Sequence, residues 1–241
     1  MVSEFFQKTW HHWKVLLKDN AFVYSLIAGI FVLGGGWLIN TFASIWHDAN
    51  VYPYVGDYVL QILPVYDLSF LFVWGYLIIV ASLFIYAIFI EPEIMPFAMK
   101  TFGVMLIVRA CFLSLTFIGP PQEFYYMKTI DAEYMRTVAS KFFFNNDLFF
   151  SGHTATPFLA FLIFRTWFRW VYLFLTFVMA ATVLIMHVHY SIDVFAAFFI
   201  TYGIYAISNR IFKNLNLRFS KRIEMYGWEA VQKLKLKIWK K

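Results

Sequence analysis

Charged residues are scarce in this chain. Lys, Arg, Asp and Glu make up 14% of the 241 residues, against 61% hydrophobic and 22% aromatic. Soluble domains carry roughly 25% charged residues, so a surface facing water all round is excluded. Cysteine is almost absent: Cys111 stands alone. That rules out an intramolecular disulfide and a cysteine metal cluster. Cys111 lies in an apolar run and is expected to pack as a small core hydrophobe. No internal repeat, low-complexity tract or second soluble domain can be read. The net charge of +6 gathers near the C-terminus, where a membrane surface, and not nucleic acid, is the expected partner. The first apolar run begins near Ala21 and is too long for a cleavable signal peptide, whose apolar region is about 7–15 residues.

What the chain has instead is long hydrophobic runs. A bilayer is crossed by about 20 apolar residues in a helix, and six such stretches can be read. They run approximately Ala21–Trp46, Leu68–Ile90, Thr101–Gly119, Ser151–Phe168, Trp170–His187 and Ser191–Phe212. The fourth and fifth are short and divide at a turn holding Arg165 and Arg169, with Trp167 and Trp170 at headgroup level. Ahead of the first span, Phe6, Trp10, Trp13 and Leu17 recur at helical spacing with Lys8 and Lys14 off the stripe. This pattern suits an amphipathic helix lying on the bilayer or packing on its own protein. The expected fold is an all-α, polytopic six-helix membrane bundle with an interfacial N-terminal helix. Its divisions are an interfacial helix (1–20), a membrane catalytic domain (21–212) and a basic cytoplasmic tail (213–241).

Positive charge sets orientation. Arg210, Lys213, Arg218, Lys221, Arg222, Lys233, Lys235, Lys237, Lys240 and Lys241 mark the C-terminal segment as cytoplasmic. Six spans return the N-terminus to the same side. The segment Asp48–Asp67 has three aspartates and no Lys or Arg, and falls outside. His11, His12 and His47 are expected at the surface, and Glu91 and Glu93 on the cytoplasmic side. The stretch from Pro120 to Asp147 is long for a connector and would lie outside, as a lid or a solvated charged face.

Two short motifs then meet on the outer side: Asp147-Leu148-Phe149-Phe150-Ser151-Gly152-His153-Thr154, and His187-Val188-His189-Tyr190-Ser191-Ile192-Asp193-Val194. Titratable groups at a membrane boundary are costly and point to function. Ser151 reads as a helix N-cap with Gly152 in the first turn. A helix N-terminus also offers free N–H groups to phosphate oxygens, toward which His153 would project. His189 and Asp193 face the same way if the last span begins near Tyr190. An aspartate on one imidazole nitrogen makes the other a better nucleophile or base; a contact that only anchors the helix is the alternative. Arg109, in the third span, costs about 2.5–3.5 kcal/mol at a helix centre. A lipid phosphate in a polar cavity would offset this, as would a structural pair with a buried carboxylate. His187 either lines the site, holds an acidic neighbour or snorkels. With His153, His189 and Asp193 it could also supply a zinc set; the favoured site contains no metal and no cofactor. Asp147 and Tyr190 join Arg109, Ser151, Gly152 and His187 as expected substrate-binding residues.

These residues together resemble the type 2 phosphatidic acid phosphatase superfamily, and within it the sphingomyelin synthase branch. The superfamily pairs Ser-Gly-His with His-x-x-x-Asp across six membrane helices, here Ser151-Gly152-His153 and His189 to Asp193. Three phosphatase features differ: Phe150 replaces Pro, Val183 replaces Arg, and the Lys-x6-Arg-Pro motif is missing. The synthase branch matches through Asp147–Thr154, through His189-Tyr190-Ser191-x-Asp193-Val194 with Ser for Thr, and through Arg109 with Thr116. Asn145-Asn146 replaces its Cys-Gly, and its animal N-terminal extension is absent. The likeness spans about residues 100–205.

The resemblance implies double displacement. His189, oriented by Asp193, would attack the lipid phosphorus and form a phosphohistidine-type intermediate. His153 would protonate the leaving oxygen and later deprotonate the acceptor. Arg109 and the turn after Ser151 would bind the phosphate oxygens. The donor is a phospholipid; the acceptor is a ceramide-like or diacylglycerol-like lipid, or water. Two alternatives stand beside this lipid phosphotransferase or phosphodiesterase: a phosphatase acting on phosphatidic acid or a polyprenyl diphosphate, and a non-enzymatic lipid carrier. Broken helices in matching halves would mark a carrier, and only Gly34-Gly35-Gly36 interrupts a span.

Overall fold

The computed structural model describes residues 2–50, 52–122 and 148–238, and among these it is helical without strands. The order is α1 (Val2–Leu17), α2 (Asn20–Asp48), α3 (Tyr58–Ile62), a π-helical turn (Leu71–Gly75) leading into α4 (Tyr76–Phe89), a 3-10 turn (Pro92–Ile94), α5 (Met95–Leu115), α6 (Gly152–Ile163), α7 (Arg169–Ile185) and α8 (Ser191–Ile238). Among the described residues, four stretches are long and apolar enough to cross a membrane: Asn20–His47, Leu71–Phe89, Pro92–Leu115 and Ser191–Phe212. Two apolar helices, α6 with 12 residues and α7 with 17, are shorter.

The expected fourth span, Ser151–Phe168, is helical only to Ile163. Glu91, buried after α4, accepts from Arg165 N at 3.2 Å and Thr166 N at 3.0 Å. Tyr86 donates its hydroxyl to the same carboxylate at 2.7 Å. These bonds take up N–H groups of an extended stretch, so the chain leaves the helix without orphaned donors. α7 then starts at Arg169, and Trp167 and Trp170 are exposed at the turn.

Helices α2 and α5 lie against each other along their length. The Gly34–Gly36 run does not break α2, which continues unbroken to Asp48. Gly36 and Gly103 let the two backbones touch. A Cβ on Gly36 would fall 2.4 Å from Gly103 O, and one on Gly103 2.4 Å from Val32 O. At the other end of the chain, α8 runs on as a helix to Ile238. Arg218 of α8 pairs at 2.9 Å with Asp19, the N-cap of α2.

Helix α1 divides its faces. Thr9 donates to Phe89 O at 3.2 Å, Trp13 to Ile88 O at 3.0 Å, and Leu16 is buried. Phe6, Trp10 and Leu17 stay exposed. Two single-residue expectations fail. Cys111 is exposed on α5, because in a membrane helix the outer face is as apolar as the core. His47 is buried rather than at the surface, its Nε2 lying 2.8 Å from Thr116 O, a carbonyl left over where α5 ends.

Candidate active site

Helix α6 begins where Ser151 accepts from Thr154 N at 3.4 Å, the expected N-cap. Its start meets Arg109 of α5. The buried guanidinium donates Nε to Phe150 O at 2.8 Å and Nη1 to Asn40 Oδ1 at 3.4 Å. Gly152 lies beside it; a Cβ there would be 3.5 Å from Arg109 Nε. A fixed cation and the positive end of a helix therefore converge, an arrangement that favours a bound anion.

His153, in the first turn of α6, is buried between two rings supplied by the π-helical turn and α4. Phe72 stacks on it with centroids 4.0 Å apart, and Tyr76 lies at 4.2 Å. The Phe72 main chain hydrogen-bonds the imidazole. Aromatic walls and a main-chain bond fix the ring plane, so any proton it moves is moved along one direction.

His189 sits in the turn between α7 and α8. Its Nδ1 is 3.4 Å from Asp193 Oδ2, with both side chains buried. Asp193 Oδ2 also accepts from Tyr190 N at 2.9 Å. The contact lacks hydrogen-bond geometry: neither His189 Nδ1 nor Asp193 Oδ1 has a hydrogen-bond partner among the described residues. The main chain joins the two motifs directly: Ser151 N donates to Asp193 O at 3.2 Å. His153 is within electrostatic reach of both His189 and Arg109, and Asp193 within reach of Arg109. The structure thus gathers His153, His189, Asp193, Arg109, Ser151 and Gly152.

His187 and Tyr190 stand apart from that group. His187 has φ 51° and turns its Nε2 to Leu63 O at 3.1 Å. Tyr190 donates its hydroxyl to Gly119 O at 2.9 Å and accepts from Val55 N at 3.1 Å. Both line a cavity of about 240 Å³ with Tyr54, Asp57, Gln61 and Gln122. With His187 turned away, the four-ligand zinc set does not form. Among the described residues no three His, Cys, Asp or Glu side chains group as metal ligands. Asp147, and the expected lid up to it from 123, lie outside the described residues. Phe72, Tyr76, Asn40 and Asp57 were not expected near the site. Only Asp57 carries a signal, as an acidic N-cap ahead of α3.

Fold and site together define an all-helical, multi-pass membrane protein whose motif residues meet at one end of the bundle. Residues 146–210 match the family model described as PAP2 superfamily C-terminal. The match takes in α6, α7 and most of the membrane part of α8, and with them His153, His189 and Asp193; Arg109 lies outside it. Members of that superfamily are in general phosphatases and phosphotransferases, and the match supports an enzyme of lipid phosphatase or phosphotransferase type. No curated protein and no solved structure matches the chain.

Proposed function

We propose that the chain transfers a phosphate-bearing headgroup from a phospholipid to a ceramide-like or diacylglycerol-like alcohol, or to water. The observation that carries this reading is the His189–Asp193 contact at 3.4 Å, locked to the start of α6 by the Ser151 N–Asp193 O bond. Nδ1 of His189 faces the carboxylate, so Nε2 is the nucleophile. It attacks phosphorus as the bond to the lipid oxygen breaks, and His153 gives that oxygen its proton. The acceptor hydroxyl then returns a proton to His153 while its oxygen displaces His189. Arg109 and the N–H groups opening α6 hold the equatorial oxygens, since phosphoryl transfer is mostly positioning and charge stabilisation. Asp147 joins this binding set, and His187 and Tyr190 line its flank.

The Asp147–Thr154 and His189–Val194 runs support lipid-to-lipid transfer of the sphingomyelin synthase kind. The PAP2 match favours, as a second reading, hydrolysis of phosphatidic acid or a polyprenyl diphosphate. In this proposal α6 and α7 also cross, giving six spans, and the exposed stripe of α1 lies on the bilayer. Both termini are cytoplasmic and the site opens to the outer face.

Purified protein incubated with mixed phospholipids, with and without ceramide, tests the reading by lipid mass spectrometry without added metal. A new phosphoceramide species is expected; diacylglycerol or free phosphate alone would select the hydrolase. His189→Ala and His153→Ala should each lower turnover at least about a hundredfold. Full turnover in either variant removes the role assigned to that ring. A lipid flux across vesicles that survives His189→Ala would favour a carrier.

A further inference from the structure

The segment 52–66, between α2 and α4, takes no part in the chemistry proposed above. Yet it is bonded to the His189 turn at four points. Val55 N donates to the Tyr190 hydroxyl, Asp57 Oδ2 accepts from Ser191 N at 2.6 Å, His187 Nε2 lies 3.1 Å from Leu63 O, and Tyr66 N donates to Ile185 O at 3.3 Å. The cavity beside the site is the space between this strap and the turn.

Asp57 makes the tightest of these contacts, and its two oxygens have different tasks. Oδ1 caps the strap's own helix, accepting from Val59 N at 2.9 Å and Leu60 N at 3.3 Å. Oδ2 reaches across the fold to Ser191 N, the first residue of α8. Tyr190, at the N-cap position, has no short side-chain oxygen to offer there, and its hydroxyl is engaged at Gly119. Asp193 folds back to Tyr190 N, as the third helical residue does in a capping box. Asp57 takes a different free donor of the same turn, Ser191 N, from a distant segment. Burial pushes its carboxyl up, but the donors from Ser191, Leu60 and Val59 outweigh this and hold it below the usual carboxylate range. An anion therefore sits at the positive end of α8.

We propose that Asp57 is a positioning residue: by capping α8 from outside, it sets the turn in which Asp193 meets His189. The proposal rests on the phosphoryl-transfer reading only in assigning those two side chains to the reaction. A carboxylate that fixes the first turn fixes the angle of both groups, and small misplacements of reacting groups cost about a hundredfold in rate.

Two substitutions remove the contact from opposite sides. Asp57→Asn keeps one oxygen for a cap but cannot accept at both places. Ser191→Pro deletes the N–H at a first helical position, where proline is well tolerated. Each should lower kcat about tenfold to a hundredfold with KM changed less than about threefold, while the thermal midpoint stays near that of Asp67→Asn. Asp67 caps Ser69 N at 2.8 Å on the neighbouring stretch and serves as the control. The double variant should be no slower than the slower single one, because both remove one contact. Wild-type kcat in Asp57→Asn, additive losses, or an equal loss in Asp67→Asn would overturn the proposal. A second readout needs no turnover: the ring-nitrogen NMR signals of His189 should shift in Asp57→Asn and not in Asp67→Asn. Absence of turnover on any lipid in the wild type would end the reaction proposed above; an unshifted His189 signal would end the role of Asp57.

Discussion

A guanidinium inside a membrane helix needs acceptors, and Arg109 reaches across to two other segments for them, Phe150 O and Asn40 Oδ1. Its Nε bond pins it to the start of α6, beside Gly152. Planar, bidentate geometry separates Arg from Lys at such a position. Arg109→Lys keeps the charge and loses both the Nε bond and the fork. If Arg109 holds phosphate oxygens, kcat/KM for headgroup release should fall about tenfold to a hundredfold, measured well below a thermal midpoint that the lost Phe150 bond itself lowers. Wild-type kcat/KM in Arg109→Lys would reduce the arginine to a structural link. The same scale explains what the sequence made legible. His189 and Asp193 could be paired because one helical turn relates them, a local geometry. Ser151 as N-cap is equally local. Asp57 and Ser191 are 134 positions apart, and nothing in either neighbourhood announces the other. Cys111 and His47 fail for a different reason. In a bilayer an apolar run has no polar face to mark its outside, so hydropathy cannot tell lipid-facing from buried positions.

At the scale of elements, the short α6 is the informative case. Twelve residues rise only about 18 Å, less than the roughly 30 Å hydrocarbon core. If α6 crosses as proposed, the extended stretch after Ile163 must supply the rest, and Glu91 receives its N–H groups; irregular backbone at membrane depth is tolerated only where protein satisfies it. The expected end at Phe168 overran the helix, which stops at Ile163. Hydropathy registers apolar length, while the bond to a carboxylate that ends the helix comes from another segment. Glycine in α2 tells a similar story: a methyl added at Gly34 would meet nothing within 4 Å, whereas one at Gly36 would strike the backbone of α5. Sequence alone gives the three glycines one appearance. Gly103→Ala places a methyl 2.4 Å from Val32 O and should destabilise by about 1–3 kcal/mol. Gly34→Ala should be neutral or stabilising by up to about 1 kcal/mol, from helix propensity alone. Thermal unfolding of both variants in one detergent decides this; equal midpoints would mean that α2 and α5 do not approach as closely as described.

For the whole molecule, the question is which way the site faces. The turn at Trp167 and the strap at Tyr54 lie at opposite ends of the bundle, since α6 and α7 separate the Trp167 turn from the His189 turn to which the strap is bonded. Tyr54 and Trp167 are both exposed, so each can report its side. In the orientation proposed from the basic C-terminal segment and the Lys- and Arg-free stretch from Asp48 to Asp67, the strap lies outside, following the positive-inside rule. In a Cys111→Ser background, Tyr54→Cys on intact cells should react with a membrane-impermeant maleimide. Trp167→Cys should react only after the membrane is opened. Cys111 is exposed on α5, so its replacement leaves the packing of the bundle in place. The reverse labelling pattern would invert the proposed orientation and hand the enzyme the inner-leaflet lipids as substrates. It would not touch the geometry of His153, His189 and Asp193, because those contacts are made within the bundle and do not depend on the side of the membrane they face.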